Sequence, residues 1–143
     1  MDKETIKAKL EAGLLKQKIR QNTGILIKCT TTDRFLLLKR AYPPHNQKWA
    51  LLSGAMELGE DSLGAIKREI GEEISINPDI IDIRYAGKEV DSITGTEFFY
   101  YQGLTNSEFL PTLDHENVDF GWFSKDEFPT PIFPGLPEKM KNF

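Results

Sequence analysis

Residues 54–76 read GAMELGEDSLGAIKREIGEEISI. The second half of this stretch is the strongest helical pattern in the chain, predicted over residues 61–74. At about 100° per residue, Leu63, Ile66, Ile70 and Ile74 fall on one stripe and are expected to be buried. Glu69, Glu72 and Glu73 fall on a second face at spacings of i, i+3 and i+4, where helical side chains are neighbours. Like charges so placed repel, at a cost of roughly a few tenths of a kcal/mol. Carboxylates this far along a helix also gain little from its N-terminal dipole. Taken alone, E-x-x-E-E reads as a solvated acidic face. The alternative is a bound divalent cation, which removes the repulsion. Mg²⁺ takes oxygen ligands, one or two carboxylates and substrate phosphates. Gly64 and Gly71 lie inside the helix, each costing about 1 kcal/mol relative to alanine, and suggest close approach by other backbone.

The charge of the whole chain resides in this stretch. The protein has 143 residues and a formal net charge of −4, with 18 Lys+Arg against 22 Asp+Glu. Residues 54–76 hold six acids and two bases, so the remaining 120 residues sum to zero. A general nucleic-acid binder would need a basic patch or stripe, and none is expected. With 39% hydrophobic residues the composition is that of a globular domain, and no apolar run approaches a membrane span. The N-terminus MDKETIKAKL lacks the apolar core of a secretory signal, and the single Cys29 allows no internal disulfide. Both features lead us to expect a cytoplasmic protein. Two histidines and one cysteine exclude a Cys/His zinc cluster. Cys29 is expected to be a small buried hydrophobe.

On either side of the helix the pattern alternates in strand fashion. Residues 24–30 (GILIKCT) and 34–40 (RFLLLKR) read as a hairpin around a polar turn. Residues 41–48 (AYPPHNQK) form a loop in which His45 has no expected role, and residues 49–52 a short strand. Strands are predicted at 80–90, 97–103 and 118–123, with a polar loop at 110–117. Residues 129–137, with four prolines, are irregular, and a short helix closes the chain. Residues 3–19 place Ile6, Leu10, Leu14 and Ile19 near helical spacing among lysines. This amphipathic helix over residues 1–20 is expected to pack on the domain or on the partner in a homodimer. One domain of α/β (α+β) class over residues 1–143 is the expectation.

Residues 54–76 also match a known pattern. They resemble the Nudix box, G-x5-E-x7-R-E-U-x-E-E-x-G-U with U aliphatic, as found in MutT-like proteins. Gly54, Glu60, Arg68-Glu69, Ile70, Glu72-Glu73 and Ile76 fill it; Ser75 stands where the family has glycine, at the helix exit. The resemblance extends over residues 24–128, including R-A-Y-P-P, W-A-L-L-S-G and N-V-D-F-G-W-F. It implies an α/β/α sandwich with a mixed central sheet, and a Mg²⁺- or Mn²⁺-dependent pyrophosphohydrolase of nucleoside diphosphates linked to a second moiety X.

By the same resemblance, Glu69, Glu72 and Glu73 are metal ligands with the Ser53 carbonyl nearby, and Arg68 orients a carboxylate. Glu60 supports the loop or an outer metal, and Glu57 is solvated. A Glu six residues before the Trp of the late strand serves as general base in many members. Counting back from Trp122 gives Glu116, with Asp114, His115 and Asp119 as rivals and a box Glu as a further option. Lys39 and Arg40 end the second strand near the expected cleft. Strand alternation lets one of them face inward, and Arg40 is the choice for phosphate. Tyr42, Phe99 and Tyr101 are candidates to stack on a nucleobase. The expected substrates are ADP-ribose, nucleotide sugars, FAD or dinucleoside polyphosphates. The alternatives are a nucleoside triphosphate pyrophosphohydrolase that sanitises the nucleotide pool and a non-catalytic nucleotide sensor. The expected partner is thus a nucleotide-derived small molecule, with no membrane and no stable nucleic-acid binding.

Overall fold

The computed structural model describes residues 2–11, 20–43 and 46–143, and the side chains of 9–11 are not described. The expectations for His45 and for the second half of the N-terminal helix lie outside the described residues. In chain order the elements are α1 (Lys3–Glu11), β1 (Gln21–Cys29), β2 (Arg34–Arg40), β3 (Trp49–Ala50), β4 (Leu52–Ala55) and α2 (Ser62–Ile74). A 3₁₀ turn (Pro78–Ile80), β5 (Asp82–Val90), β6 (Glu97–Thr105), β7 (Asn117–Phe123) and α3 (Leu136–Lys141) follow.

The sheet is mixed, ordered β3-β2-β1-β6-β5, with β4 added to β1 and β7 to β2. Among the described strand pairs the central β1–β6 is parallel and the others antiparallel, with one isolated parallel bridge between Trp49 and Ile132. Ile25, Ile27, Leu36, Leu38, Tyr101 and Trp122 pack on one face against Ile66, Ile70 and Ile74 of α2. On the other face Leu26, Phe35, Leu37 and Tyr100 pack against Leu136 and Met140 of α3. The period of two along β1 and β2 therefore sends alternate aliphatics into two cores. The result is the expected α/β/α sandwich.

The predicted strand at residues 49–52 is two strands. The β1–β2 hairpin pairs at Ile27, Lys28 and Cys29, while nearer its open end β1 pairs with β4 through Asn22–Ile25 and β2 pairs with β3. The hairpin splays, and the chain crosses the gap at Leu51. The strand predicted from residue 80 begins at Asp82. Pro78 at the start of the 3₁₀ turn and the Asn77 side chain, which accepts from the Asp79 amide at 3.0 Å, favour a turn first.

Helix α2 starts where Asp61 accepts from the Gly64 amide at 2.7 Å and ends at Ser75 in the left-handed region, φ 55°. Its buried face is Ala65, Ile66, Glu69, Ile70, Glu73 and Ile74. Leu63, expected in that stripe, is 40% exposed, and Ala65 takes a buried position instead. The close backbone approach expected at Gly71 is absent: a Cβ there would meet nothing within 4 Å. A Cβ on Gly64 would meet only the capping Asp61 side chain. Cys29 is buried, as expected.

Candidate active site

Two of the acids expected on a separate face of α2 lie instead on its buried face. Glu69 is 6% exposed and Glu73 1%. They reach the end of the sheet where β1 and β2 splay, beside β4. A Cβ on Gly54 would lie 2.3 Å from the Glu69 carboxylate, so glycine at the first box position is what lets that carboxylate approach the strand. The loop before β7 brings a third acid. Glu69, Glu73 and Glu116 each place one carboxylate oxygen within 4.8 Å of the others.

The loop is anchored to α2 by backbone. The Thr112 amide donates to the Ile74 carbonyl at 3.0 Å and the Asp114 amide to the Glu73 carbonyl at 3.2 Å, so the loop caps the helix end. The Asp114 side chain accepts from the Glu116 amide at 3.0 Å, turning the chain. The Glu116 carbonyl accepts from the Ala41 amide at 3.0 Å, tying the loop to the end of β2. Asp114 thus shapes the turn that presents Glu116. His115 packs edge-on against Tyr42, with ring centroids 6.3 Å apart. The Asp119 side chain is taken by the Phe120 amide at 2.8 Å.

Glu69 and Glu73, both buried beside other carboxylates, resist ionisation. Burial, against the pull of Arg68, pushes Glu69 up to about 7. Burial, followed by the neighbouring Glu116 and Glu69 carboxylates, pushes Glu73 up to about 10. Glu73 Oε1 accepts from Asn117 Nδ2 at 3.5 Å, while Glu73 Oε2 is buried with no hydrogen-bond partner. A buried oxygen without a donor is costly. A hard cation fits this orphaned oxygen and its carboxylate neighbours by donor chemistry.

Arg68 ties the neighbouring acids together. Its Nε and Nη2 both donate to Glu60 at 2.9 Å, Nη1 to Glu69 and Glu72 at 2.9 Å each, and Nη2 also to the Ala55 carbonyl at 3.1 Å. Glu60 further accepts from the Glu57 amide at 2.7 Å, so it supports the loop. Glu72 is at the rim, its side chain 56% exposed, outside the three-carboxylate cluster. Glu57 is exposed and carries an ion pair with Lys3 at 2.6 Å.

A cleft of about 760 Å³ opens from this corner across the α3 face of the sheet. Arg40, Ser53, Gly54 and Glu116 line its near end. Arg40 Nη1 donates to Ser53 Oγ at 3.5 Å. Lys39, one step out of phase, lies over the Trp49 ring, 6.0 Å from its centroid, and is not among the cleft residues. Of the aromatic candidates Tyr42 lines the cleft, whereas Phe99 and Tyr101 belong to the opposite core, where Tyr101 Oη and Ser62 Oγ are 2.6 Å apart. Phe98 takes their place. It sits in one transverse row, Ala55–Asn22–Phe98–Glu89, across β4, β1, β6 and β5. Phe98, Asn22, Arg20, Asn117 and Lys139 were not singled out by the sequence. Alternation within β6 separates Phe98 from Phe99, but the β1–β6 register that selects Phe98 is a property of the fold.

The mixed sheet between two helical layers, with the acidic corner at its end, has the form of a Nudix domain. The chain belongs to that family: residues 18–143 match the NUDIX domain. It is 30% identical over 96 residues to the NAD-capped RNA hydrolase NudC of Haemophilus influenzae (strain PittGG), covering 67% of this chain but 35% of that protein. It therefore spans about a third of the length of the curated relatives it matches. A Caenorhabditis elegans Ap4A hydrolase in a binary complex superposes with a TM-score of 0.63 at 25% identity, over 74% of this chain and 81% of that one. A MutT protein from Methanosarcina mazei Go1 shares the fold with a TM-score of 0.68 at 19% identity, over 90% and 94%. Among the described residues no helix is long and apolar enough to cross a membrane.

Proposed function

We propose that the protein is a divalent-metal-dependent pyrophosphohydrolase that cleaves a phosphoanhydride in a nucleoside diphosphate linked to a second moiety, such as ADP-ribose, a nucleotide sugar, FAD or a dinucleoside polyphosphate. The observation that carries this reading is the meeting of Glu69, Glu73 and Glu116 at one end of the cleft, with Glu73 Oε2 buried and unpartnered. Those three side chains would hold Mg²⁺ or Mn²⁺, with Glu72 and the Ser53 carbonyl as further ligands. The ion, when bound, supplies Lewis-acid charge against the phosphate oxygens.

The rest is done by the chain. Arg40 binds a phosphate through its planar fork beside Ser53. Arg68 holds Glu69 and Glu72 in place from behind. Glu116 is the one acid that belongs both to the cluster and to the cleft wall. It accepts the proton of the attacking water as the new P–O bond forms and the bridging P–O bond breaks. The products are a nucleoside monophosphate and phosphorylated X.

A hydrolysis screen with Mg²⁺ and Mn²⁺ across ADP-ribose, nucleotide sugars, dinucleoside polyphosphates, FAD and nucleoside triphosphates tests the reading. Release of pyrophosphate from triphosphates alone would replace it with the pool-sanitising alternative, and no turnover at all with the sensor. Glu116→Gln is expected to lower kcat by about 10²-fold, as loss of a positioned base does. Unchanged kcat in that variant would remove Glu116 from the chemistry.

A further inference from the structure

The chain has five arginines, and they divide by partner. Arg34 meets both oxygens of Glu108, Arg68 both oxygens of Glu60, and Arg84 one oxygen of Asp82 through two nitrogens. The remaining two, Arg20 and Arg40, have no carboxylate partner among the described residues, and both line the cleft. Arg40 belongs to the phosphate end discussed above. Arg20 lies at the other end, and the hydrolase reading gives it no role.

Arg20 is held by the sheet although its side chain is exposed. Its carbonyl accepts from the Glu97 amide at 2.9 Å, at the point where β1 and β6 begin to pair. Two residues on, Asn22 occupies the row with Phe98, so Arg20 continues the cleft side of β1. Gly24, opposite Ser53 in the β1–β4 register, marks the Arg40 end of the same strand. Four residues separate Gly24 from Arg20, about 13 Å of strand. The floor between them is Ala55, Asn22 and Phe98, a small, a polar and an aromatic side chain over which a nucleoside can lie. The nearby acid, Glu89, is already met by Lys139 at 2.5 Å, and that lysine also covers the Tyr100 ring at 4.3 Å. Glu116, the other acid of the cleft wall, faces Glu69 and Glu73. Among the described residues the charge of Arg20 is thus left uncompensated, at the far end of a groove whose near end holds Arg40 and Ser53.

We propose that Arg20 forms a second anion subsite, which takes a phosphate group attached to the substrate away from the scissile pyrophosphate. A planar guanidinium matches a phosphate in a way that a solvated lysine does not. This deepens the hydrolase reading and rests on it for the position of the first phosphate. It assigns the preferred substrates to nucleotide derivatives that carry an extra phosphate, esterified on the ribose or linking the next nucleotide.

The test is calorimetric titration of the full chain, with Mg²⁺ present, using AMP, adenosine 2′,5′-bisphosphate, adenosine 3′,5′-bisphosphate and the dinucleotide pApA. One of the three doubly phosphorylated probes is expected to bind at least about 10-fold more tightly than AMP, the scale of one charge-assisted hydrogen-bonded pair. A bisphosphate winner identifies a terminal phosphate as the ligand, and a pApA winner a chain-linked one. Arg20→Gln is expected to bring that ratio close to one, and Arg20→Lys to restore part of it. Equal affinity of all four probes for the unmodified protein overturns the subsite, as does a preference that survives in Arg20→Gln. The titration reads binding alone. Absence of hydrolysis on every pyrophosphate would sink the hydrolase reading while an Arg20-dependent ratio still stood, and turnover without that ratio would sink only the subsite.

Discussion

Glu60 and Glu69 lie nine positions apart in one stretch, and their side chains are almost equally shielded, 10% and 8% exposed. Their carboxyls nevertheless move in opposite directions. Arg68 reaches Glu60 through two nitrogens, the Glu57 amide adds a third donor, and the Glu60 carboxyl is held below its usual range. Glu69 receives one nitrogen of the same arginine, is packed against Gly54, and faces Glu116 and Glu72; it rises to about 7. Glu73, with Asn117 as its single hydrogen-bond donor among the described residues, rises further, to about 10. Counting acids does not distinguish these groups. The supply of donors does: the loop end of the box is already neutralised by the protein, and the cluster end is deficient in positive charge.

The largest test of that division pairs two conservative variants. Glu73→Gln removes a carboxylate from the deficient end, and kcat with Mg²⁺ is expected to fall about 10²-fold or more, with weaker metal binding. In metal-free buffer the same variant should melt no lower than the parent, because it removes a buried acid from a repulsive cluster. Glu60→Gln should do the reverse: a loss of about 1–3 kcal/mol in stability from a broken charge-assisted pair, and a smaller loss in kcat. Equal losses of kcat in the two variants would dissolve the distinction. Glu72→Gln belongs between them, since its side chain is exposed and outside the cluster.

Gly54 sharpens the comparison from the backbone side. A methyl group there would overlap the Glu69 carboxylate at 2.3 Å and leave Glu60 untouched. Gly54→Ala is therefore expected to weaken Mg²⁺ activation by about 10-fold or more, the scale seen when the support of a ligand is disturbed. Unaltered Mg²⁺ dependence would show that Glu69 can move without consequence.

The two ends were not equally legible in the sequence. The helix and the aliphatic half of its buried face follow from periodicity, whereas Asp61, read there as the first helical residue, is its cap. The burial of Glu69 and Glu73 does not, because a helical wheel sorts residues by polarity, whereas α2 turns two acids toward the sheet and leaves Leu63 outside. Strand alternation allowed one of Lys39 and Arg40 inward and the planar fork selected Arg40, while the bulge between them belongs to the fold. Glu116 came from a count back from Trp122; its meeting with Glu73 depends on loop amides that cap α2. Phe98 and Arg20 depend on the parallel β1–β6 register, a contact between segments more than 70 residues apart, which no local pattern encodes.

The opposite pKa directions also predict a pH response. Glu69 and Glu73 have folded values raised above that of an unfolded glutamate, so the native state holds protons that the unfolded state has released. For these groups stability is greatest below about pH 4.5, declines as pH rises through about 7 for Glu69, and declines again toward about 10 for Glu73. Binding of a divalent cation releases those protons, so Mg²⁺ should raise Tm more at pH 8 than at pH 6. Melting curves with and without Mg²⁺ at the two pH values check the sign. A Mg²⁺ effect that shrinks with rising pH would mean that the ion binds elsewhere.

The smallest effect belongs to a place where the chain departs from its family. Ser75 ends α2 with φ 55° and ψ 38°, a conformation that costs a residue with a Cβ about 1 kcal/mol and glycine almost nothing. The carbonyls of Glu73 and Ile74 are already met by the Asp114 and Thr112 amides, and Ser75 is exposed. Ser75→Gly therefore changes the backbone strain and little else. Part of the gain is returned as the greater freedom of glycine in the unfolded chain, so the expected increase is about 0.5 kcal/mol in denaturant unfolding, with kcat unchanged. The exit from α2 also carries the amides that set the Glu116 loop. A kcat that moved with Ser75→Gly would mean that serine at this position tunes the spacing of Glu73 and Glu116, and that the strained exit belongs to the acidic corner.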